Sequence, residues 1–327
     1  MDDKFTIRFW GVRGSYPTPG NATVRYGGNT ACVEVQAGGR TIILDAGTGI
    51  IPLGRDLVRR AGGKPLETLL LVSHLHHDHT QGFPFFVPAY IPSTRLHVYG
   101  LGADAESLER VLESNQSAQR FPVSLREMGA AKDIRSLRET EEIVWDEDGV
   151  RVVPSTSLRA SATSPNVGSE AVRVRVHRSY AHPGGVYVYR IEWRGRSLVY
   201  ATDTEGYVGG DRRLAAFARN ADLLIHDAQY SEAHYRGLAA GLPATQGFGH
   251  STVEMACEQA AAAAAGRLAL FHHDPSYDDA ALDGLQARAS GLFPNVQAAY
   301  ESLTLELESP RVTQVYRLAL RTGAKGM

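Results

Sequence analysis

Short apolar runs alternate with turns along the first part of the chain, a pattern typical of β-structure. Residues 5–10, 29–35 and 41–44 are β-like, and a loop rich in glycine and proline separates the first two runs, which predicts an antiparallel meander. Residues 50–61 carry apolar side chains at helical spacing and precede two glycines, so we expect a helix that ends there. Residues 68–72 form a short and almost wholly apolar run, which indicates a buried strand.

The second half of the chain shows both periodicities again. Residues 186–191 alternate and residues 197–200 follow after a short turn, which predicts a hairpin. Apolar runs at 222–225 and 267–271 flank a helical pattern over residues 251–265 that begins with capping-box spacing. Further helices are predicted over residues 103–114, 212–219 and 278–293, and further strands over residues 95–99, 142–145, 150–153 and 172–176.

Residues that can bind metal follow these apolar runs directly. Residues 74–79 hold four histidines and an aspartate, and nitrogen donors beside an oxygen donor are typical of a metal site. Asp203 follows the hairpin, His226-Asp227 follows the next run, and His272-His273 follows the last one. Functional residues often lie in the loops at strand ends. The recurrence of ligand-type residues after successive strands therefore predicts one layered domain with a composite metal site.

Asp45 ends the run at residues 41–44, just before two closely spaced glycines. Its carboxylate can orient neighbouring groups by accepting hydrogen bonds, or it can form a simple Asx-type turn. Both interpretations fit the sequence.

Composition narrows the class of protein. A chain of 327 residues with 43% hydrophobic and 21% charged residues can bury a large core. We expect one domain over residues 1–327, with a mobile loop at residues 155–169, which are rich in small and polar side chains. The net charge of -2 indicates neither a nucleic-acid surface nor a membrane surface. Without a signal-peptide pattern or a long apolar segment, the expected location is the cytoplasm. Cys32 and Cys257 are expected to be reduced core residues.

The signature His74-x-His76-x-Asp78-His79 after a strand resembles that of the metallo-β-lactamase-fold hydrolases. Within that family the chain is similar to the phosphodiesterase branch, which includes ribonuclease Z and cyclic-phosphodiester hydrolases. Residues 9–15 and 26–30 also resemble segments of proteins in that branch. Further motif matches, in the order that the family has them, extend from Asp45 to Asp274. The resemblance implies an α/β fold, a four-layer αββα sandwich with a dinuclear metal site at one edge of the sheets.

The same resemblance implies seven ligands for two divalent metal ions. Zinc suits a set of imidazoles and carboxylates without thiolates, and manganese or iron would also suit it. The residues carried over are His74, His76 and His182 for the first ion, Asp78, His79 and His272 for the second, and Asp203 as a bridge between them.

Two other histidines compete for these positions. His177 is the alternative to His182 as third ligand of the first ion, because both precede the predicted hairpin. His273 is the alternative to its neighbour His272, whereas His77 matches no ligand of the family.

Two residues outside the ligand set match catalytic positions of ribonuclease Z-like enzymes. His250, in Gly249-His250-Ser251-Thr252, resembles the histidine beside the leaving group, and Asp227 lies where those enzymes carry its acidic partner. Ordinary helix-entry and strand-end roles are the alternatives. Asp78 would also accept a proton from water. The chain departs from ribonuclease Z in having His273-Asp274-Pro275 after the last ligand, and it shows no glycine- and proline-rich basic arm of the kind that grips transfer RNA.

The expected function is hydrolysis of a small or cyclic phosphodiester, such as a cyclic nucleotide or a cyclic phosphate. Five neutral imidazoles and two carboxylates around two divalent ions leave a formal charge of about +2, which attracts an anionic substrate. Because fold does not fix function, a lactonase or thioesterase, an RNA-processing nuclease and a non-catalytic metal-binding sensor are the alternatives. A homodimer is implied by dimeric members of the family, and nucleic acid is a less favoured partner.

Overall fold

The computed structural model describes residues 3–102, 107–155, 170–207, 209–239 and 241–308. The strands in these ranges are β1 (Phe5–Gly11), β2 (Cys32–Ala37), β3 (Arg40–Leu44), β4 (Glu67–Val72), β5 (Arg95–Gly100), β6 (Ala131–Ser136), β7 (Glu141–Asp146), β8 (Gly149–Pro154), β9 (Val172–Ser179), β10 (Val186–Trp193), β11 (Arg196–Ala201), β12 (Leu223–Asp227), β13 (Leu268–Phe271), β14 (Val296–Ala298) and β15 (Thr304–Leu307). The α-helices are α1 (Ile50–Ala61), α2 (His77–Thr80), α3 (Leu108–Asn115), α4 (Arg212–Phe217), α5 (Glu232–Tyr235), α6 (Val253–Ala262) and α7 (Asp279–Ser290), and 3-10 turns lie at Asn21–Thr23, Phe83–Phe85 and Val87–Tyr90.

The strands form two sheets. One has seven strands in the order β15-β1-β2-β3-β4-β5-β6, and the other has eight in the order β14-β13-β12-β11-β10-β9-β7-β8. Strands β3 to β6 run parallel in the first sheet, and strands β11 to β14 run parallel in the second. Each sheet therefore combines an antiparallel meander with a parallel half whose strand ends point to one edge.

Three apolar clusters define four layers. In β4, Leu69 and Leu71 belong to the cluster between the two sheets, whereas Leu70 and Val72 belong to the cluster under α1 and α3. This alternation follows from the two-residue period of a strand, and both faces are buried because the strand is parallel and central. A third cluster packs the outer face of the second sheet against α4, α6 and α7. The order helix, sheet, sheet, helix is the predicted four-layer αββα sandwich.

Most predicted elements are present, with shifted ends. The helix predicted over residues 50–61 has the bounds of α1, whose C-cap Gly62 adopts the left-handed conformation. The helix predicted over residues 251–265 spans Val253–Ala262. The alanine-rich run offers no stop signal before Gly266, so the sequence places the end of this helix too late. Strand β6 lacked a clear alternation and was not predicted.

Two predicted segments fall partly on residues that the structure does not describe. Residues 103–106 of one predicted helix and residues 156–169 of the predicted loop lie outside the described residues. The single domain over residues 1–327 and the mobility of that loop stay predictions. Both cysteines are free and buried, as expected. Among the described residues, no helix is long and apolar enough to cross a membrane.

Candidate metal centre

The parallel strands bring the predicted ligands to one edge of the sandwich. Asp45 follows β3, His74 comes two residues after β4, Asp203 comes two residues after β11, and His272 follows β13. Asp45, Asp203 and His272 have positive φ angles of 63°, 51° and 63°. Residues other than glycine rarely adopt this conformation, and they do so mainly where the surroundings hold them for a function. Here the turn directs each side chain across the edge rather than along its strand.

One group of potential ligands consists of His74, His76, His182 and Asp203, whose ligand atoms all lie within 4.8 Å of one another. His182 Nε2 lies 3.1 Å from His76 Nδ1, and His74 Nε2 lies 3.5 Å from Asp203 Oδ2. His76 is exposed, and the other three residues are buried. The structure thus brings together the four residues expected around the first ion.

Hydrogen bonds fix which nitrogen of these rings faces the group. His182 Nδ1–H donates to the Gly249 carbonyl over 3.2 Å, and His74 Nδ1–H donates to Ser73 Oγ over 3.1 Å. Each ring therefore presents an Nε2 lone pair to the interior of the group. Burial lowers the pKa of His182 to about 4 and holds the pKa of His74 well below its usual value. Both imidazoles are therefore neutral and can donate the Nε2 lone pair to a metal ion.

A second group consists of Asp78, His79, Asp203 and His272, all buried and again within 4.8 Å of one another. His79 Nε2 lies 3.2 Å from Asp203 Oδ1 and 3.3 Å from Asp78 Oδ2. His272 Nε2 lies 3.3 Å from the same Asp203 oxygen and 3.0 Å from Asp78 Oδ2. Asp203 therefore directs Oδ2 to the first group and Oδ1 to the second, the geometry of a bridging carboxylate.

The residues of both groups fit divalent cations. His74 Nε2 is a buried nitrogen without a hydrogen-bond partner among the described residues. Such a group is costly unless something satisfies it, and a metal ion would do so. Burial acts to lower the pKa of His79, but the carboxylates of Asp203 and Asp78 outweigh it and hold that pKa well above its usual value. The carboxylates of the second group thus favour a positive charge among them, which a divalent cation would supply.

Asp45 orients the second group from behind. Its carboxylate accepts hydrogen bonds from Ser73 N (2.7 Å), Ser73 Oγ (2.8 Å), Tyr200 Oη (2.7 Å) and His79 Nδ1 (2.7 Å). The last bond leaves His79 Nε2 to face Asp78 and Asp203. Of the two interpretations of Asp45, the orienting one matches these contacts.

A third group joins Asp227, His250 and His272. His250 Nδ1–H donates to Asp227 Oδ2 over 2.7 Å, and the imidazole stacks on His272 at a centroid distance of 5.0 Å. Burial acts to lower the pKa of His250, but the Asp227 carboxylate and then Asp203 outweigh it and raise that pKa to about 9. His250 also lines a pocket of about 420 Å³ together with His76, Asp78, Asp203 and His272. A protonatable imidazole thus faces the same cavity as the potential ligands.

The competing histidines lie outside these groups. His177 Nδ1 lies 2.9 Å from Glu139 Oε1, and the ring packs on Phe217. His273 Nε2–H donates to the Ala299 carbonyl over 2.9 Å, behind the site. His77 is exposed and lines the pocket without joining a group. The structure places His182 and His272, rather than His177 and His273, beside the other predicted ligands. Metal binding by these residues stays a prediction.

Comparison with known proteins shows the family of the chain. The family model of the β-lactamase superfamily domain matches residues 40–273, well over half of the chain. The chain belongs to this superfamily. A ribonuclease Z from Pyrococcus abyssi (strain GE5 / Orsay) is 28% identical to this superfamily member over 294 residues, which cover 83% of the chain and 87% of that protein.

Two solved structures share the fold of this superfamily member. Zn(2+)-bound PqqB from Methylobacterium extorquens is 15% identical, with a TM-score of 0.60 and coverage of 92% of this chain and 100% of that chain. A diphosphatase from the PhnP family is 17% identical, with a TM-score of 0.59 and coverage of 93% and 97%. Identities this low show the fold alone. The predicted α/β fold, the metallo-β-lactamase family and a metal-dependent hydrolase are confirmed.

Two residues near the centre of this superfamily member escaped the sequence analysis. Gln229 Oε1 accepts His272 Nδ1–H over 3.1 Å, and its Nε2 lies 3.4 Å from Ser15 Oγ. Ser15 N–H donates to Asp78 Oδ2 over 2.7 Å. The position of Gln229, two residues after Asp227 at a strand end, was the available signal. Gly14 is required beside them, because a Cβ there would lie 2.5 Å from His272 Cε1.

Proposed function

We propose that the protein is a dinuclear metal-dependent phosphodiesterase that hydrolyses a small or cyclic phosphodiester. The observation that carries this proposal is the position of Asp203. Its Oδ2 lies near His74 in the first group, and its Oδ1 lies near His79 and His272 in the second. Support also comes from the relatives named ribonuclease Z and from the shared fold with a diphosphatase.

In this proposal His74, His76 and His182 would hold one ion, Asp78, His79 and His272 would hold the other, and Asp203 would bridge them. Zinc is the proposed metal because the donors are imidazole nitrogens and carboxylate oxygens. When bound, two such ions lower the pKa of water to about 7 and stabilise both the attacking and the leaving oxygen of a phosphodiester.

The chain's own residues complete the reaction. His250, held by Asp227 at Nδ1, presents its other nitrogen as a proton donor to the departing alkoxide. Asp227 fixes this orientation because its second oxygen accepts the backbone N–H groups of Gln229 and Ser251. For Asp78 a role as proton acceptor has less support than a role as ligand. Although burial acts to raise its pKa, His79 and His272 hold that pKa well below its usual value, which makes the carboxylate a weak base.

The proposal is tested with Asp203→Ala. Purified protein should contain about two transition-metal equivalents by mass spectrometry, and the variant should lose metal and the ability to cleave bis-p-nitrophenyl phosphate. Asp148→Ala is the matched control, since the Asp148 side chain is 82% exposed and its only described ion pair is a long contact with Arg151. Metal-free wild-type protein, or full activity in Asp203→Ala, would overturn the proposal.

An RNA-processing nuclease is the second candidate. Its support is the name of the relatives, one of which, from Thermoplasma acidophilum (strain ATCC 25905 / DSM 1728 / JCM 9062 / NBRC 15155 / AMRC-C165), matches 93% of the chain at 26% identity. The net charge of -2 and a pocket of about 420 Å³ favour a smaller substrate. Binding of RNA that weakens steeply with salt would favour the nuclease. A homodimer and a cytoplasmic location are further proposals, which light scattering and cell fractionation test.

A further inference from the structure

A second open cavity, of about 790 Å³, adjoins the candidate metal centre. The two share a wall, because His182 lines this cavity and its Nε2 lies 3.1 Å from His76, which lines the other. A substrate whose phosphodiester lies at the metal centre would extend naturally into this space, since both volumes lie in the range of small-molecule sites.

The lining of this cavity combines tyrosine rings with a guanidinium group. Tyr180 and Tyr207 line it and are 68% and 52% exposed, so a large part of each side chain is accessible. The Arg178 guanidinium lies 5.0 Å from the centroid of the Tyr180 ring and donates to the Gly184 carbonyl over 3.3 Å. Accessible aromatic faces beside a positive charge are the elements with which proteins bind nucleotides by stacking.

The carboxylate in the lining is already occupied. Glu205 accepts hydrogen bonds from Tyr235 Oη (2.5 Å), Gly247 N (2.8 Å) and Gly249 N (3.0 Å). The Gly249 carbonyl in turn accepts His182 Nδ1–H, so that Glu205 ties the cavity wall to the first ligand group. Glu205 is therefore engaged in holding the wall rather than in reading the edge of a ligand ring.

We propose that this cavity binds the base of a nucleoside attached to the scissile phosphodiester, by stacking on Tyr180 and Tyr207. This inference rests on the proposed function for the position of the phosphodiester, and it narrows the substrate class to nucleotides. Arg178 adds a positive charge beside the stacked base. Because every base offers a π-face and the carboxylate in the wall is engaged, the cavity discriminates little between bases.

The kinetic test uses two substrates with the same leaving group. Thymidine 5′-(p-nitrophenyl phosphate) carries a nucleoside, whereas methyl p-nitrophenyl phosphate does not. With metal-loaded protein, Tyr180→Ala combined with Tyr207→Ala should raise KM roughly 5- to 150-fold for the thymidine substrate only, the range for loss of base stacking. Replacing both tyrosines by phenylalanine retains the rings and should restore KM. Tyr300→Ala removes a tyrosine of 37% exposure outside the cavity and should change neither substrate.

A binding measurement separates this inference from the proposed function. AMP titrated calorimetrically should bind wild-type protein and lose affinity in the double alanine variant, without any turnover. If no phosphodiester is cleaved but this loss is observed, the proposed function fails and the nucleotide cavity stands. If methyl p-nitrophenyl phosphate is cleaved but the tyrosine variants change neither KM nor AMP affinity, the cavity inference is overturned. A strong preference for one of AMP, GMP, CMP and UMP would also contradict binding by stacking alone.

Discussion

Replacing Asp227 by asparagine should separate the proposed proton donation from the rest of the site. Asp227 Oδ2 accepts His250 Nδ1–H, whereas Oδ1 accepts the N–H groups of Gln229 and Ser251 at 3.1 and 2.9 Å. Asparagine has nearly the same volume and keeps one oxygen for the two backbone donors. Its NH₂ group, however, replaces the acceptor that faces His250 and cannot hold a protonated imidazole.

The magnitude follows from what the 2.7 Å bond between Asp227 and His250 provides. General acid catalysis contributes about 100- to 10,000-fold, and this contribution depends on how much the leaving oxygen needs a proton. An alkoxide needs one, whereas p-nitrophenolate departs as a stable anion. We therefore expect kcat of Asp227→Asn to fall by about 100-fold or more on phosphodiesters with poor leaving groups, and by less than about tenfold on activated ones.

The assay measures kcat for a series of aryl methyl phosphates whose leaving groups become progressively poorer. His250→Ala should show the same dependence on the leaving group as Asp227→Asn. The double variant should be no slower than His250→Ala alone, because the carboxylate acts through the imidazole. Melting temperature and metal content serve as controls for folding. Equal losses across the series, or losses that add in the double variant, would refute the assignment of His250 as proton donor.

Two further predictions concern positions outside the proposed catalytic pair. Gln229→Leu removes the acceptor for His272 Nδ1–H and should weaken metal binding about 10- to 100-fold in chelator competition, with partial recovery in Gln229→Glu; unchanged affinity would contradict the orienting role. Burial and then the hydrogen bond to Asp283 raise the pKa of Tyr26 to about 12. Because the unfolded phenol loses its proton near pH 10, Tyr26 should stabilise the fold below pH 10 and lose this effect between about pH 10 and 12. The difference in urea midpoint between wild type and Tyr26→Phe should shrink over that window, and a constant difference would contradict it.

The candidate ligands could be picked out of the sequence because position along a strand carries most of the information. A short apolar run fixes where β4 ends, and the carboxyl ends of parallel strands meet at one edge. The choice between His182 and His177 needed the register of the sheet. His177 lies within β9, opposite Val188, where its neighbour Val176 faces the core and its own ring faces Phe217. His182 lies in the loop before β10, where the alternation of a strand does not determine the direction of its side chain.

Other features were beyond the reach of a single sequence. Ser15 contacts Asp78 and Gln229 contacts His272 only in the folded chain, because these partners lie 63 and 43 positions apart in sequence. Tyr180 and Tyr207 carry no periodic signal, since exposed tyrosines in loops fit any surface. Strand β6 is hidden by its charged side chains, which suit an edge strand better than a core strand.

The conformation of the metal centre depends on tertiary contacts. Asp45, Asp203 and His272 all adopt positive φ, which costs free energy locally for residues other than glycine. For Asp45, four accepted hydrogen bonds from β11, from Ser73 after β4 and from His79 in α2 offset that cost, and for His272 the contact with Gln229 contributes. The bond from Tyr200 to Asp45 joins the two sheets, whereas the other contacts join segments that follow neighbouring strands of one sheet. Because the unfolded chain lacks this geometry, bound metal would stabilise the packed sheets as well as the site, and the sites for the two ions would form together with the sandwich.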